Sequence, residues 1–168
     1  MEGLLDSCHV GRLATNGADG YPVCKPVNFA YHGGRIYIHT AKVGEKVEDI
    51  RRDERVSFEV DLPVAYIRAV NEPCEADYLY RSVIIKGKAG MVDDRGEKLA
   101  ALNSLMRKYQ PQGGWGEYLE EKFERTGIIR IEIVRMTGKE DLGSGKLRDA
   151  ALKAITEGVP LPITLVRG

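Results

Sequence analysis

The chain is short of the features that would place it outside the cytosol or among the best-marked catalytic folds. It has three cysteines, Cys8, Cys24 and Cys74, in 168 residues. An odd and widely spaced set argues against a disulfide framework and for reduced thiols in a cytoplasmic protein. No apolar run has the length of a membrane span. The opening residues, MEGLLDSCHV, lack the basic-then-apolar order of a secretory leader. Charge of one sign is not in excess. Lys plus Arg and Asp plus Glu each number 25, which removes the electrostatic case for nucleic acid or an anionic membrane as partner. No G-x-G-x-x-G follows a strand and opens a helix, and G-x-x-x-x-G-K-[ST] is missing, so classical dinucleotide and P-loop folds are not expected. Cys8, His9, Cys24, His32 and Cys74 never adopt C-x-x-C or H-x-x-x-H spacing, so no metal site is expected.

What is present is ordinary globular composition, 43% hydrophobic and 30% charged, enough for one domain with a substantial core. The informative stretch is VNFAYHGGRIYIHTAKVGEK, residues 27–46. Val27, Phe29 and Tyr31 alternate with Asn28, Ala30 and His32. After Gly33-Gly34, Ile36, Ile38 and Thr40 alternate with Tyr37 and His39. This predicts a β-hairpin closed by a glycine turn. The loop Thr40-Ala41-Lys42-Val43-Gly44-Glu45-Lys46 follows, then a helix marked by Val47 and Ile50. A strand end, a hydroxyl, a glycine, two lysines and a helix start form a candidate phosphate seat, where backbone N–H groups and the helix dipole face an anion. The competing reading is a hairpin followed by a surface helix with solvated lysines.

Taken in order, the chain predicts a helical turn before Cys8 and strands over 8–15 and 21–31. Pro22 and Pro26 place the first half of the second strand at an edge or bulge. After the hairpin come a helix over 46–52 and a strand over 55–60. Residues 62–77 carry two prolines and no period, and read as a long excursion with one short strand at 65–69. Strands over 78–92 and 127–136 flank a helix marked by Leu99, Leu102, Leu105, Met106 and Tyr109, and a shorter helix over 115–125. A glycine-containing connection over 137–146 leads to a C-terminal helix. The tail LPITLVRG has apolar residues without a local partner. About six strands without βαβ alternation predict a mainly β fold, an antiparallel barrel or sheet with peripheral helices.

The ordered set GYPVCKPVNFAYHGGRIYIHTAKVGEKVEDIRRDERVSFEV, YRSVIIKGKAGMV, LNSLMRKYQP and IIRIEIVRMTGK resembles the pyridoxamine 5′-phosphate oxidase-like, FMN-binding split-barrel proteins. Within them it is most similar to the branch of the 5-nitroimidazole resistance proteins. The resemblance covers residues 8 to 139. It implies a six-stranded antiparallel split barrel, a homodimer, and FMN at the dimer interface. It also implies a flavin domain over 1–139, with a C-terminal helix and tail over 140–168 packing on the barrel or the partner subunit.

Carried over residue by residue, Val27 and Asn28 border the isoalloxazine edge. Ile38, His39, Thr40 and Ala41 border the ribityl chain and phosphate. Lys42 and Lys46 hold the phosphate, Ser82 offers a polar side chain from another strand, and Trp115 covers the flavin from the partner. The implied activity is reduction of a small acceptor, with a nitroaromatic as the candidate and His39 as the candidate catalytic group. The alternatives left open are a non-catalytic flavin- or haem-binding dimer and an FAD or F420 protein. The arginine- and tryptophan-bearing C-terminal segment of the pyridoxamine phosphate oxidases is not matched by 147–168, which lowers vitamin B6 oxidation below a general flavin reductase.

Overall fold

A computed structural model describes residues 1–166. The element order is α1 (Glu2–Ser7), β1 (Val10–Asn16), β2 (Pro22–His32), β3 (Arg35–Ala41), α2 (Glu45–Arg52), β4 (Arg55–Arg68), a 3₁₀ turn (Pro73–Glu75), β5 (Asp77–Met91), α3 (Arg95–Tyr109), α4 (Glu120–Arg125), β6 (Thr126–Asp141), α5 (Gly145–Thr156) and β7 (Ile163–Val166). Hydrogen bonding orders the strands β1-β2-β3-β6-β5-β4-β7, and an additional pairing of β1 with β4 closes six of them into a ring. The contacts divide the chain into two compact units, residues 1–60 with 84–137, and residues 61–83 with 138–166.

The first unit holds the ring. β1 pairs antiparallel with β2, β2 with β3, β3 with β6, and β1 with β4 through Arg12↔Glu59 to Ala14↔Ser57. Strand alternation puts Leu13, Phe29, Ile36, Ile38, Phe58, Ile85, Ile129 and Ile131 in full burial. Phe29 and Phe58 meet edge-on with centroids 4.8 Å apart. The hairpin forms as its sequence predicts. Gly33 and Gly34 have φ of 57° and 77°, the positive pair that a two-residue turn between twisted strands requires. Pro22 and Pro26 pair with Asn16 and Arg12, whereas β2 meets β3 only over residues 29–32. The missing N–H groups thus fall in the half of β2 that needs them least.

A second apolar cluster covers the outer side of the hairpin. Ala30, Tyr37 and Ile128 pack there with Ala101, Leu102 and Leu105 of α3 and with Phe123 of α4. α3 starts on Asp94, whose carboxylate accepts from the Glu97 N–H at 2.7 Å, an acidic counterpart of the capping box. α4 is shorter than the sequence predicts. Gly113, Gly114 and Gly116 oppose helix, so 111–119 is irregular up to Leu119.

The second unit corrects three expectations. β4 runs unbroken from Arg55 to Arg68 through Pro63, where residues 62–77 predicted a long excursion. The irregular part shrinks to 69–76, held by the Glu75 carboxylate, which accepts from the Val70 and Asn71 N–H groups at 3.1 and 3.0 Å. β6 extends to Asp141 and α5 starts at Gly145, so the first half of the expected flexible connection is strand and only 142–144 remain between the two elements. The tail supplies a seventh strand. Ile163 to Val166 pair in parallel with Ala65 to Arg68, so the strand set is mixed, where six antiparallel strands were expected. The reason is apolar burial: Leu161, Ile163 and Leu165 pack on a cluster of Val64, Ala65, Ile67, Leu79, Leu142 and Ala151. Among the described residues, no helix is long and apolar enough to cross a membrane.

Candidate functional site

The loop after β3 is anchored from below. Asp49 of α2 is buried and accepts from Thr15 Oγ1 at 2.8 Å and from Arg52 at 2.7 Å. Arg52 first, and Thr15 after it, hold the Asp49 carboxyl below the usual carboxylate range against the opposing effect of burial. These bonds fix α2 on β1, and with it the helix start. Gly44, at φ 122°, is the N-cap, and no side chain caps this end. The first N–H groups of α2 are therefore open to an external acceptor.

Beside this helix start lies a cavity of 760 Å³. β2 contributes Pro26, Val27 and Asn28, β3 contributes His39, and α2 contributes Lys46. α3 adds Leu102, Leu105, Met106 and Tyr109, and the segment after it adds Tyr118, Leu119, Lys122 and Phe123. The lining is apolar and aromatic on the helical segments and polar where the strands and α2 enter. Lys46 makes no ion pair among the described residues. Burial first, and the nearby Lys25 charge second, push its pKa down. Lys25 itself is neutralised by Glu45. Tyr109 ties the helical and strand walls together. Its hydroxyl accepts from the Phe29 N–H at 2.9 Å and has the His9 and Phe29 carbonyls at 2.6 and 3.0 Å as acceptors. Burial raises the Tyr109 phenol above its ordinary value, so it remains a donor.

Of the residues singled out from the sequence, Val27, Asn28, His39 and Lys46 meet in this cavity. Ile38 and Thr40 are buried on the other face of β3, alongside Ile36, and do not line it. Ala41 is exposed and pairs with Thr126 of β6. Lys42 lines a second cavity of 170 Å³, with Arg51, Asp93, Arg95, Lys98 and Glu124 among its walls. Trp115 lines a third, with Leu99, Asn103, Tyr118 and Phe123. Ser82 belongs to the second unit, on β5. Sequence reasoning missed Leu102, Leu105, Met106 and Tyr109 as site residues. Their three-and-four spacing predicts an amphipathic helix, and part of its apolar face turns to the cavity. Among the described residues, no three His, Cys, Asp or Glu side chains gather as a metal centre.

A family profile described as pyridoxamine 5′-phosphate oxidase matches residues 1–140. Among curated proteins, none matches the chain. Among solved structures, a candidate 5-nitroimidazole antibiotic resistance protein from Bacteroides thetaiotaomicron is 23% identical with a TM-score of 0.70, over 82% of this chain and 80% of that one. An FAD- and haem-binding protein from Mycobacterium smegmatis is 18% identical with a TM-score of 0.75, over 91% and 75%. An FAD-binding protein from Mesorhizobium loti is 25% identical with a TM-score of 0.58, over 83% and 91%. The first two likenesses, at these identities, establish a shared fold and nothing further.

Proposed function

The chain belongs to the pyridoxamine 5′-phosphate oxidase family, and from that premise we propose that it is a flavin-binding oxidoreductase that reduces a small acceptor. The observation that carries the reading is the meeting of Val27, Asn28, His39 and Lys46 in one 760 Å³ cavity. That volume lies within the range of cofactor sites, roughly 300–1,000 Å³. The residues fit the group. Leu102, Leu105 and Phe123 offer an apolar wall to a flat aromatic ring. Asn28 and the β2 backbone offer hydrogen bonds along a polar ring edge. Lys46 and the uncapped start of α2 offer an unneutralised positive end to a phosphate.

FMN, by itself or as the flavin half of FAD, is the group proposed for this cavity, with Lys46 as its phosphate ligand. A bound flavin supplies the redox chemistry, and the protein supplies position and electrostatics. His39 is exposed on the cavity wall, where its imidazole can give or take the proton that accompanies acceptor reduction. Tyr109 holds β2 in register against α3. A nitroaromatic is the acceptor proposed, supported by the family branch the sequence resembles and by the Bacteroides neighbour. A homodimer with Trp115 of the partner subunit over the ring is proposed on the resemblance alone.

The test is turnover. Chemically reduced FMN bound to the protein should be reoxidised by a 5-nitroimidazole under anaerobic conditions, faster than free reduced FMN and more slowly in His39→Ala. Bound flavin that no acceptor reoxidises would leave a binding module in place of an enzyme. A sharp haem band in the purified protein would favour the haem-binding alternative.

A further inference from the structure

The smaller cavity has a chemistry of its own. Lys98 of α3 is 6% exposed, and its Nζ donates to the Phe123 carbonyl and lies 4.4 Å from the Phe123 ring centroid. No carboxylate pairs with it among the described residues. Lys42 and Arg51 line the same cavity and also make no ion pair among the described residues; Arg51 donates instead to the Lys42 carbonyl at 3.4 Å. Arg95 is already engaged, with Glu120 at 2.7 Å and Glu124 at 3.0 Å. Four cations, Lys42, Arg51, Arg95 and Lys98, line the cavity against two carboxylates, Asp93 and Glu124, the second of them bound to Arg95. A buried ammonium without a counter-ion is unfavourable. Burial and then the charge of Lys42 push Lys98 down from its ordinary value. At 170 Å³ the cavity is large enough for one tetrahedral oxyanion and too small for a whole flavin. It shares Phe123 and Thr126 with the 760 Å³ cavity, so the two adjoin.

We infer that this cavity is a second anion site, built by Lys98, Lys42 and Arg51 for a phosphoryl group and separate from the Lys46 seat. A phosphoryl group brings more than one charge and several acceptor oxygens to Lys98, Lys42 and Arg51, none of which makes an ion pair among the described residues. Resting on the flavin reading above, the source of that group is the phosphate that FAD carries and FMN lacks. A free phosphate or a phosphorylated acceptor is the other source of the same chemistry.

Equilibrium dialysis of FMN and FAD against wild type, Lys98→Met and Arg51→Gln separates these. FAD is expected to bind wild type about tenfold tighter than FMN, the worth of one charge-assisted contact. Lys98→Met should remove that advantage and Arg51→Gln should reduce it, both leaving FMN within about twofold. Arg51 is exposed, so its replacement keeps the test open if Lys98→Met folds poorly. Equal losses for FMN and FAD would overturn the inference in favour of a single phosphate seat. No loss in either variant would also overturn it. If wild type binds no flavin, the flavin reading fails by itself, and calorimetric titration with inorganic phosphate then decides the site. Binding heat that Lys98→Met abolishes supports it, and no heat in wild type overturns it.

Discussion

Lys42 and Lys46 stand four residues apart, and they line different cavities. Lys46 enters a 760 Å³ space lined by the apolar side of α3, and Lys42 enters a 170 Å³ space lined by cations. The difference comes from the start of α2. Lys42 lies in the bend that leads to Gly44, whereas Lys46 is already helical. The helix therefore turns it toward β2 and β3. Spacing alone assigns both lysines to one phosphate, and the backbone separates them.

The largest effect on this arrangement is expected at Asp49, because it holds the helix on which the separation depends. Asp49→Ala leaves Thr15 and Arg52 without their shared acceptor and should lower the unfolding free energy by about 3 kcal/mol in urea melts. The folded-state pKa of Asp49 is depressed, so its stabilisation is present above the ordinary carboxylate value of 3.8 and is lost as pH falls through the lower folded value. The gap between wild type and Asp49→Ala should close accordingly in acid.

Lys46→Ala comes next, with FMN affinity weakened by about 1–3 kcal/mol, whereas Lys42→Ala should leave it within about 0.5 kcal/mol. Equal losses, read by flavin fluorescence titration, would merge the two cavities into one site. Tyr109→Phe should cost about 1 kcal/mol of stability and speed amide exchange at Phe29, whose N–H loses its acceptor.

The smallest effect belongs to a control for Lys98. Lys108, on the same helix, is half-buried, donates to the Leu5 carbonyl at 2.8 Å and sits 3.5 Å from the Phe29 ring centroid, outside both cavities. Burial pushes its pKa down from 10.5 to about 8. Between those values the unfolded chain holds a proton that the folded chain has lost, so wild-type stability should rise from about pH 8 towards 10.5. Lys108→Met should flatten that rise and leave flavin binding unchanged. A change in FAD affinity here would mean that buried lysines of α3 act through stability and not through a site.

Local pattern made much of this legible. The hairpin followed from alternation around Gly33-Gly34, and the candidate phosphate loop from a glycine and lysines at a helix start. Four candidate residues from 27–46 do meet in one cavity. Non-local facts were hidden. Nothing in LPITLVRG specifies a parallel partner 98 residues away, as in Ala65↔Ile163. Pro63 reads as a breaker although its strand continues. The face of α3 shows the same three-and-four spacing whether it covers a core or lines a cavity, so Leu102, Leu105 and Tyr109 look alike in sequence and differ only in what stands opposite.

The larger cavity is proposed to hold the flavin. The most direct test is the visible spectrum of the purified protein, followed by titration with FMN. The expected result is bound oxidised flavin, or saturation at one FMN per chain with loss of affinity in Lys46→Ala. A colourless protein that binds neither FMN nor FAD would contradict it.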